Sequence, residues 1–302
     1  MISTLQLGTI DYATGLRLQE KLVDLRKQSR IRDVLLLLEH TPVITLGRNA
    51  TAKNILASPE ILSNRGVETF ECDRGGDVTF HGPGQLVAYP IFDLRGFPSS
   101  AENRKSMGVI EFVRNLEEVL IRTCAGFGIP AKRIAGLTGV WTESQPALIT
   151  SHLGTAGPVG TTAHVGTTAH VGTGALARSA ESKTQQAPAQ EAKIAALGIH
   201  ISRGITSHGI ALNVNTDLSL FDLIVPCGIT SKPVTSMQKE LAHEVAIQDV
   251  AHSLSRNLGT IFNSQILWLE SLNDLLNTKI GVPLKLPAEL QKIHPGDDST
   301  WA

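Results

Sequence analysis

Two side chains in this sequence could support nucleophilic and proton-transfer chemistry. Cys227 lies in Ile224-Val225-Pro226-Cys227-Gly228-Ile229, where Pro226 sets a rigid approach and Gly228 leaves the space beyond the sulfur open. A thiolate attacks acyl carbonyls well, but a free thiol has a pKa near ~8.5 and needs a neighbouring cation or base to ionise at neutral pH. The plainer reading is a buried structural cysteine. Lys193 heads the apolar stretch Lys193-Ile194-Ala195-Ala196-Leu197-Gly198-Ile199, and strict alternation puts it on the face of Ala195, Leu197, Ile199 and Ile201. Desolvation on such a face disfavours the ammonium and suits the amine to general acid/base work, whereas a lysine at a strand end often reaches out to solvent instead. His81 and His208 are alternative bases, with His208 placed by alternation on an apolar face, the usual setting of a core histidine.

The run Arg74-Gly75-Gly76-Asp77-Val78-Thr79-Phe80-His81-Gly82-Pro83-Gly84-Gln85 is built to lay backbone against a ligand. Glycine permits close approach, Pro83 fixes a turn, and Arg74 and His81 supply polar handles, although the same residues also make ordinary surface turns. Its glycines match neither the dinucleotide fingerprint nor the P-loop, and neither a zinc signature nor the nucleophile elbow of α/β-hydrolases occurs in the chain.

Positioning these residues requires an ordered scaffold. The chain has 302 residues, 42% hydrophobic and 18% charged, with a formal net charge of -1. That balance is a globular protein's and offers no overall pull toward nucleic acid or an anionic membrane. No run approaches the ~18 apolar residues of a membrane span, and Met1–Gly15 lacks the pattern of a secretory signal, so a cytoplasmic protein is expected. Cys72, Cys124 and Cys227, odd in number and widely spaced, form neither a disulfide framework nor a zinc site.

Leu18, Leu22 and Leu25 at helical spacing predict a helix over 13–27, followed by strands at Val34–Leu38 and Val43–Leu46 joined by a turn at Thr41-Pro42. Gln85–Phe92 reads as a strand, with Pro90 arguing for an edge or a bulge. Between Glu102 and Cys124, a helix is expected to turn Ile110, Val113, Leu116 and Leu120 inward. Ala192–Ile201 and Gly204–Asn215 predict a hairpin about Ser202-Arg203-Gly204. In its second strand Thr206, His208, Ile210, Leu212 and Val214 share a core face, and Ser207, Gly209, Ala211 and Asn213 leave room for a ligand on the other. A further helix over 244–262 carries Ile247, Val250, Leu254 and Leu258 inward, and the proline-bearing tail past Gly281 is expected to pack poorly.

Residues 143–190 differ in kind, being rich in Ala, Gly, Thr and Ser with GTTAHV twice in succession, and read as a low-complexity insertion with too little apolar bulk to order. His152, His164 and His170 there lack the carboxylate or cysteine partners of a built metal site. The expected organisation is a catalytic domain over 1–260 interrupted at 143–190, then a C-terminal extension over 261–302.

RGGDVTFHGPGQLVAYPIFDL at 74–94, GLTGVWT at 136–142 and KIAALGIHISRGITSHGIALNVNTDLSLFDLIVPCGI at 193–229 together resemble the lipoyl (octanoyl) transferase family. The resemblance covers about residues 1–142 and 191–260. It implies a single α/β domain, a central mixed sheet flanked by helices, like those of lipoate and biotin ligases. It implies Cys227 as a nucleophile carrying an acyl thioester and Lys193 as its activating partner and proton shuttle. Substrate contacts are implied from Arg74, Gly75, Gly76, Asp77, Val78, Thr79, Phe80 and His81, from Ala196, Leu197 and Gly198, and from Gly209, Ile210 and Ala211. Family members often have serine where Ala196 stands, which removes one hydroxyl hydrogen bond. Octanoyl-acyl carrier protein is the implied donor; lipoyl domains of 2-oxoacid dehydrogenases and the glycine-cleavage carrier protein are the implied acceptors. No cofactor or metal is implied. The carrier is acidic, so Arg104 with Lys105, or Lys132 with Arg133, are candidate docking charges. The rivals are an ATP-dependent lipoate ligase of the same fold, a non-catalytic acyl-binding scaffold and a thioesterase.

Overall fold

The computed structural model describes residues 1–144, 190–228 and 232–277. The chain on either side of 145–190 forms one compact unit. Most of the expected insertion, with its three histidines, and the tail past Gly281 lie outside the described residues.

β1 (Ile2–Ile10) leads into α1 (Tyr12–Lys27), whose first turn is capped by Asp11 accepting from the Thr14 amide. β2 (Asp33–His40), β3 (Val43–Leu46), the short α2 (Pro59–Asn64), β4 (Glu68–Glu71), β5 (Val78–His81) and β6 (Gln85–Ile91) follow. Then come α3 (Val109–Gly126), β7 (Ala131–Ile134), β8 (Leu137–Ser144), β9 (Gln190–Ser202) and β10 (Ile205–Asn213). α4 (Met237–Leu241), α5 (Ile247–Ile261), β11 (Ile266–Trp268) and α6 (Leu272–Asn277) complete the described chain. β8 and β9 reach into both ends of the expected insertion, and β11 brings residues beyond 260 into the sheet.

The main sheet is mixed, with eight strands in the order β11-β1-β2-β6-β10-β9-β8-β7. β1 runs parallel to β2 and β11, while β2–β6, β6–β10, β10–β9 and β8–β7 are antiparallel. A smaller sheet, β4-β3-β5, stands apart from it. The apolar run of β2 is explained by burial on both sides: Leu35 and Leu37 join the core that contains α3 and α5 residues, and Val34, Leu36 and Leu38 join that of α1. On α3 the buried stripe is Phe112, Leu116, Val119 and Leu120; the helix starts at Val109, so Ile110 falls in its first turn and is 78% exposed rather than inward. Among the described residues no helix is long and apolar enough to cross a membrane.

The strand with Pro90 is central, not an edge. β6 pairs with β2 through Leu35↔Pro90, and its ladder to β10 runs only as far as Ile210↔Ala88. Opposite the proline, which lacks an N–H, His208 adopts φ 56 and turns its amide to Gln19 Oε1 at 2.7 Å. Beyond this break the strands rejoin where the Thr206 amide donates to Phe92 O. The bulge takes His208 out of the alternation, so its side chain leaves the core face of Ile210 and Leu212 for the cavity side.

Candidate active site

A cavity of about 380 Å³ lies where α1, β6, β9, β10 and the loop before β5 meet. Close approach of β10 to β6 depends on Gly209, where a Cβ would stand 1.9 Å from the Ala88 oxygen. Arg74, Gly76, Asp77, Thr79 and His81 line the cavity, as do Ala196, Leu197, Gly198, Gly209, Ile210, Ala211 and Lys193. Val78 and Phe80 do not: along β5 successive side chains alternate, and these two belong to a separate core in which Phe80 meets Phe221 with ring centroids 5.5 Å apart. Gly75 is also absent from the lining, its amide donating to Ile199 O. Sequence reasoning missed Tyr12, Asn49, Val87, Tyr89 and the Gly136-Leu137-Thr138 turn, all of which line it. The alternation of β6 could have revealed Val87 and Tyr89; Tyr12 and Asn49 carry no local signal.

Arg74 is a clamp rather than a free handle. Its Nε and Nη2 donate to Thr45 Oγ1 at 3.1 and 2.9 Å, Nη2 also to Thr45 O at 2.7 Å, and Nη1 to Gly75 O at 3.0 Å. Asp77 likewise holds loops together, accepting from the amides of Thr51 and Val78 and from Asn54 Nδ2.

One wall of the chamber is polar in composition but uncharged. His81 Nδ1 lies 2.7 Å from Gln85 Oε1, and Gln85 Nε2 donates to Phe80 O and Asn213 Oδ1, so the glutamine presents its oxygen and His81 Nδ1 carries the proton. Burial, reinforced by neighbouring His40, pushes the His81 pKa down to about 3. His40 donates from Nδ1 to Ile10 O and accepts at Nε2 from the Tyr89 hydroxyl at 2.6 Å; burial brings its pKa to about 4. Burial likewise raises the Tyr12 and Tyr89 hydroxyls well above the ordinary range. The Tyr12 ring stacks on His81 with centroids 6.2 Å apart. His208 Nε2 donates to Asp73 Oδ1 at 2.7 Å, and burial keeps its pKa below the ordinary value despite that carboxylate. Such walls accept an apolar chain without leaving a charge stranded.

Lys193 is 7% exposed and lines both this chamber and a small adjoining cavity. Lys193 lines the chamber together with Ala196, Leu197 and Gly198 and the small cavity together with Ala195 and Ala196, so it meets residues from both alternation faces of β9. The smaller cavity is also lined by Pro226, and it shares Thr79, Ala196 and Ala211 with the larger one. Pro226, Cys227 and Gly228 form a 3-10 turn. The turn is entered where the Val225 amide donates to Asn54 O, and a Cβ on Gly228 would stand 2.8 Å from Asp77 Oδ2. Downstream, the Lys193 amide donates to Pro233 O at 2.8 Å and the Thr235 amide to Lys193 O at 2.9 Å. The backbone after Cys227 is thus paired directly with the backbone of Lys193.

The other thiols are set for different roles. Cys124 is fully buried and burial lifts its pKa to about 12, while Cys72 Sγ lies 3.5 Å from Leu46 O. Among the candidate docking charges, Lys132 pairs with Glu191 and Arg133 with Glu117 and Glu118, whereas Arg104 and Lys105 are exposed. No cluster of three or more potential metal-ligating side chains occurs among the described residues.

Residues 11–259 match the model of the lipoyl protein ligase A/B catalytic domain. The chain is 52% identical to an octanoyltransferase of Koribacter versatilis, with 98% of each chain covered. It is 50% identical to one of Acidobacterium capsulatum over 91% of this chain and 96% of that one. Among solved structures, a lipoate-protein ligase A bound with ATP superposes with TM-score 0.59 at 15% identity, covering 97% of this chain and 92% of the other. A bi-partite lipoate protein ligase of Thermoplasma acidophilum gives 0.56 at 14%, covering 92% and 91%. At such identities the structures speak for the fold, and the sequence relatives speak for the branch. Together they place the chain in the lipoyl protein ligase A/B catalytic-domain family, as a member of its octanoyltransferases.

Proposed function

We propose that the protein moves an octanoyl group from acyl carrier protein to a lysine of a lipoyl domain through a thioester on Cys227. The observation that carries this reading is the small cavity lined by both Lys193 and Pro226, which adjoins the larger chamber and lies at the turn bearing Cys227. The chamber receives the acyl chain, where each buried CH₂ contributes about 0.8 kcal/mol.

In the first half-reaction Lys193 takes the Cys227 proton and the thiolate attacks the carrier thioester. The carrier thiolate leaves, recovers the proton from the Lys193 ammonium, and acyl-Cys227 remains. In the second, the amine of the acceptor lysine attacks acyl-Cys227, Lys193 accepts the proton lost by that amine and returns it to the Cys227 thiolate, and an amide is formed. Two thioesters precede the amide in energy, so the sequence runs without ATP. Arg104 and Lys105 are the exposed charges available to an acidic carrier.

Intact-mass measurement after incubation with octanoyl-acyl carrier protein tests the scheme. An octanoyl adduct on wild type, none on Cys227→Ser and little at neutral pH on Lys193→Met is the expected pattern. No adduct on any of them, with amide formation dependent on ATP, would replace it with a ligase; rapid release of octanoate without acceptor would make the enzyme a thioesterase.

A further inference from the structure

Trp141, from the Gly139-Val140-Trp141 stretch of β8, has no place in the scheme above but lies against its proposed base. The Lys193 Nζ stands 5.2 Å from the centroid of the indole ring. The ring is 1% exposed, and its Nε1–H, fully buried, has no hydrogen-bond partner among the described residues. An orphaned buried donor is a cost that phenylalanine would avoid, so retention of the indole points to its face, the most electron-rich that a side chain offers a cation. A second ammonium, Lys232 Nζ, stands 5.8 Å from the same centroid and is held there by Glu191, which also pairs with Lys132 at 2.9 Å. The strand that carries the ring is fixed beneath the lysine. The Gly139 amide donates to the fully buried Glu117 at 3.1 Å, and Gly139 has φ 132, with a would-be Cβ only 2.7 Å from Lys193 Cε. β8 therefore fits the Lys193 stem from two sides, by backbone at Gly139 and by the ring at Trp141.

We propose that Trp141 is a positioning residue for Lys193, holding its ammonium over the indole at the junction of the chamber and the Cys227 turn. The inference rests on the reading of Lys193 as the proton-transfer partner of Cys227. The ring favours the ammonium that Lys193 becomes on taking the Cys227 proton, so it acts on the rate of proton movement rather than on acyl binding.

The test replaces Trp268 and Trp301 by phenylalanine and incorporates tryptophan analogues of increasing fluorination at position 141, which keep the ring's shape while draining its face. Cys227 acylation by octanoyl-acyl carrier protein is then followed by mass. The expected result is a stepwise fall in kcat of roughly thirty-fold across the series, the size of a desolvated cation–π contact, with KM unchanged and a displaced pH profile of Cys227 alkylation. Trp141→Leu should lose more activity than the series, and Trp141→Phe should recover part of it. A flat series alongside an inactive Lys193→Met overturns the role of Trp141 and leaves that of Lys193 standing. A Lys193→Met enzyme that acylates Cys227 like wild type overturns both.

Discussion

His81 lines the chamber and His40 stands behind it, and their pairing with Gln85, Ile10 and Tyr89 fixes which nitrogen of each is protonated. Both are held neutral in the fold, at about 3 and about 4, against an ordinary histidine value of 6.5. Below that ordinary value the unfolded chain binds protons that the folded chain refuses. Stability is therefore full above pH ~6.5 and falls as pH drops toward the folded values, by about 1.4 kcal/mol per pH unit for each histidine. Urea denaturation of wild type and His81→Gln at a series of pH values should show the shallower acid limb in the variant; identical limbs would mean that His81 protonates freely in the fold. The residue scale is also where sequence reading was least complete. Cys227, Lys193, Thr79 and His81 stand out by type and motif, but Tyr12, Asn49 and Tyr89 come to the cavity from distant elements, and no local pattern reports such convergence.

At the scale of elements, periodicity carried most of the fold. The run Val34–Leu38 reads as a strand buried on both sides and is one, and the stripes of α1 and α5 face inward as spacing demands. Departures cluster around the site, where backbone leaves its regular period. A lone Pro90 in the sequence does not disclose that His208 bulges opposite it, nor does strict alternation foresee that Lys193 meets the chamber together with Ala196 and Gly198. The β6–β10 contact beneath the chamber leaves no space for a side chain at Gly209. Gly209→Ala should lower stability by about 3 kcal/mol or more, since backbone oxygen rather than a flexible side chain must yield. Chemical denaturation measures this directly, and a loss under 1 kcal/mol would show that the two strands can part cheaply.

At the scale of the whole molecule, one compact unit is assembled from chain on both sides of 145–190. β8 and β9 are neighbours in the main sheet, so a short connection suffices to join them. Replacing residues 146–189 by a short Gly/Ser turn should leave the melting temperature within a few degrees, roughly the change expected for a 1 kcal/mol effect in a domain of this size, and preserve Cys227 acylation. Collapse of the fold in that deletion would assign the segment a structural duty. The mixed sheet and flanking helices were legible from family resemblance and strand spacing together; the main sheet's reach past residue 260, through β11, was not, because three residues of strand carry too little pattern to be seen.

The main-chain bonds from Lys193 to Pro233 and Thr235 have a mechanical consequence. They tie the backbone at Pro233 and Thr235 to the lysine's own strand, so a displacement of that segment is carried directly to Lys193. Because the bonds use amides and carbonyls alone, this pairing is set by backbone, while the intervening Val234 side chain packs against the core of Phe80 and Phe221 and lines the small cavity.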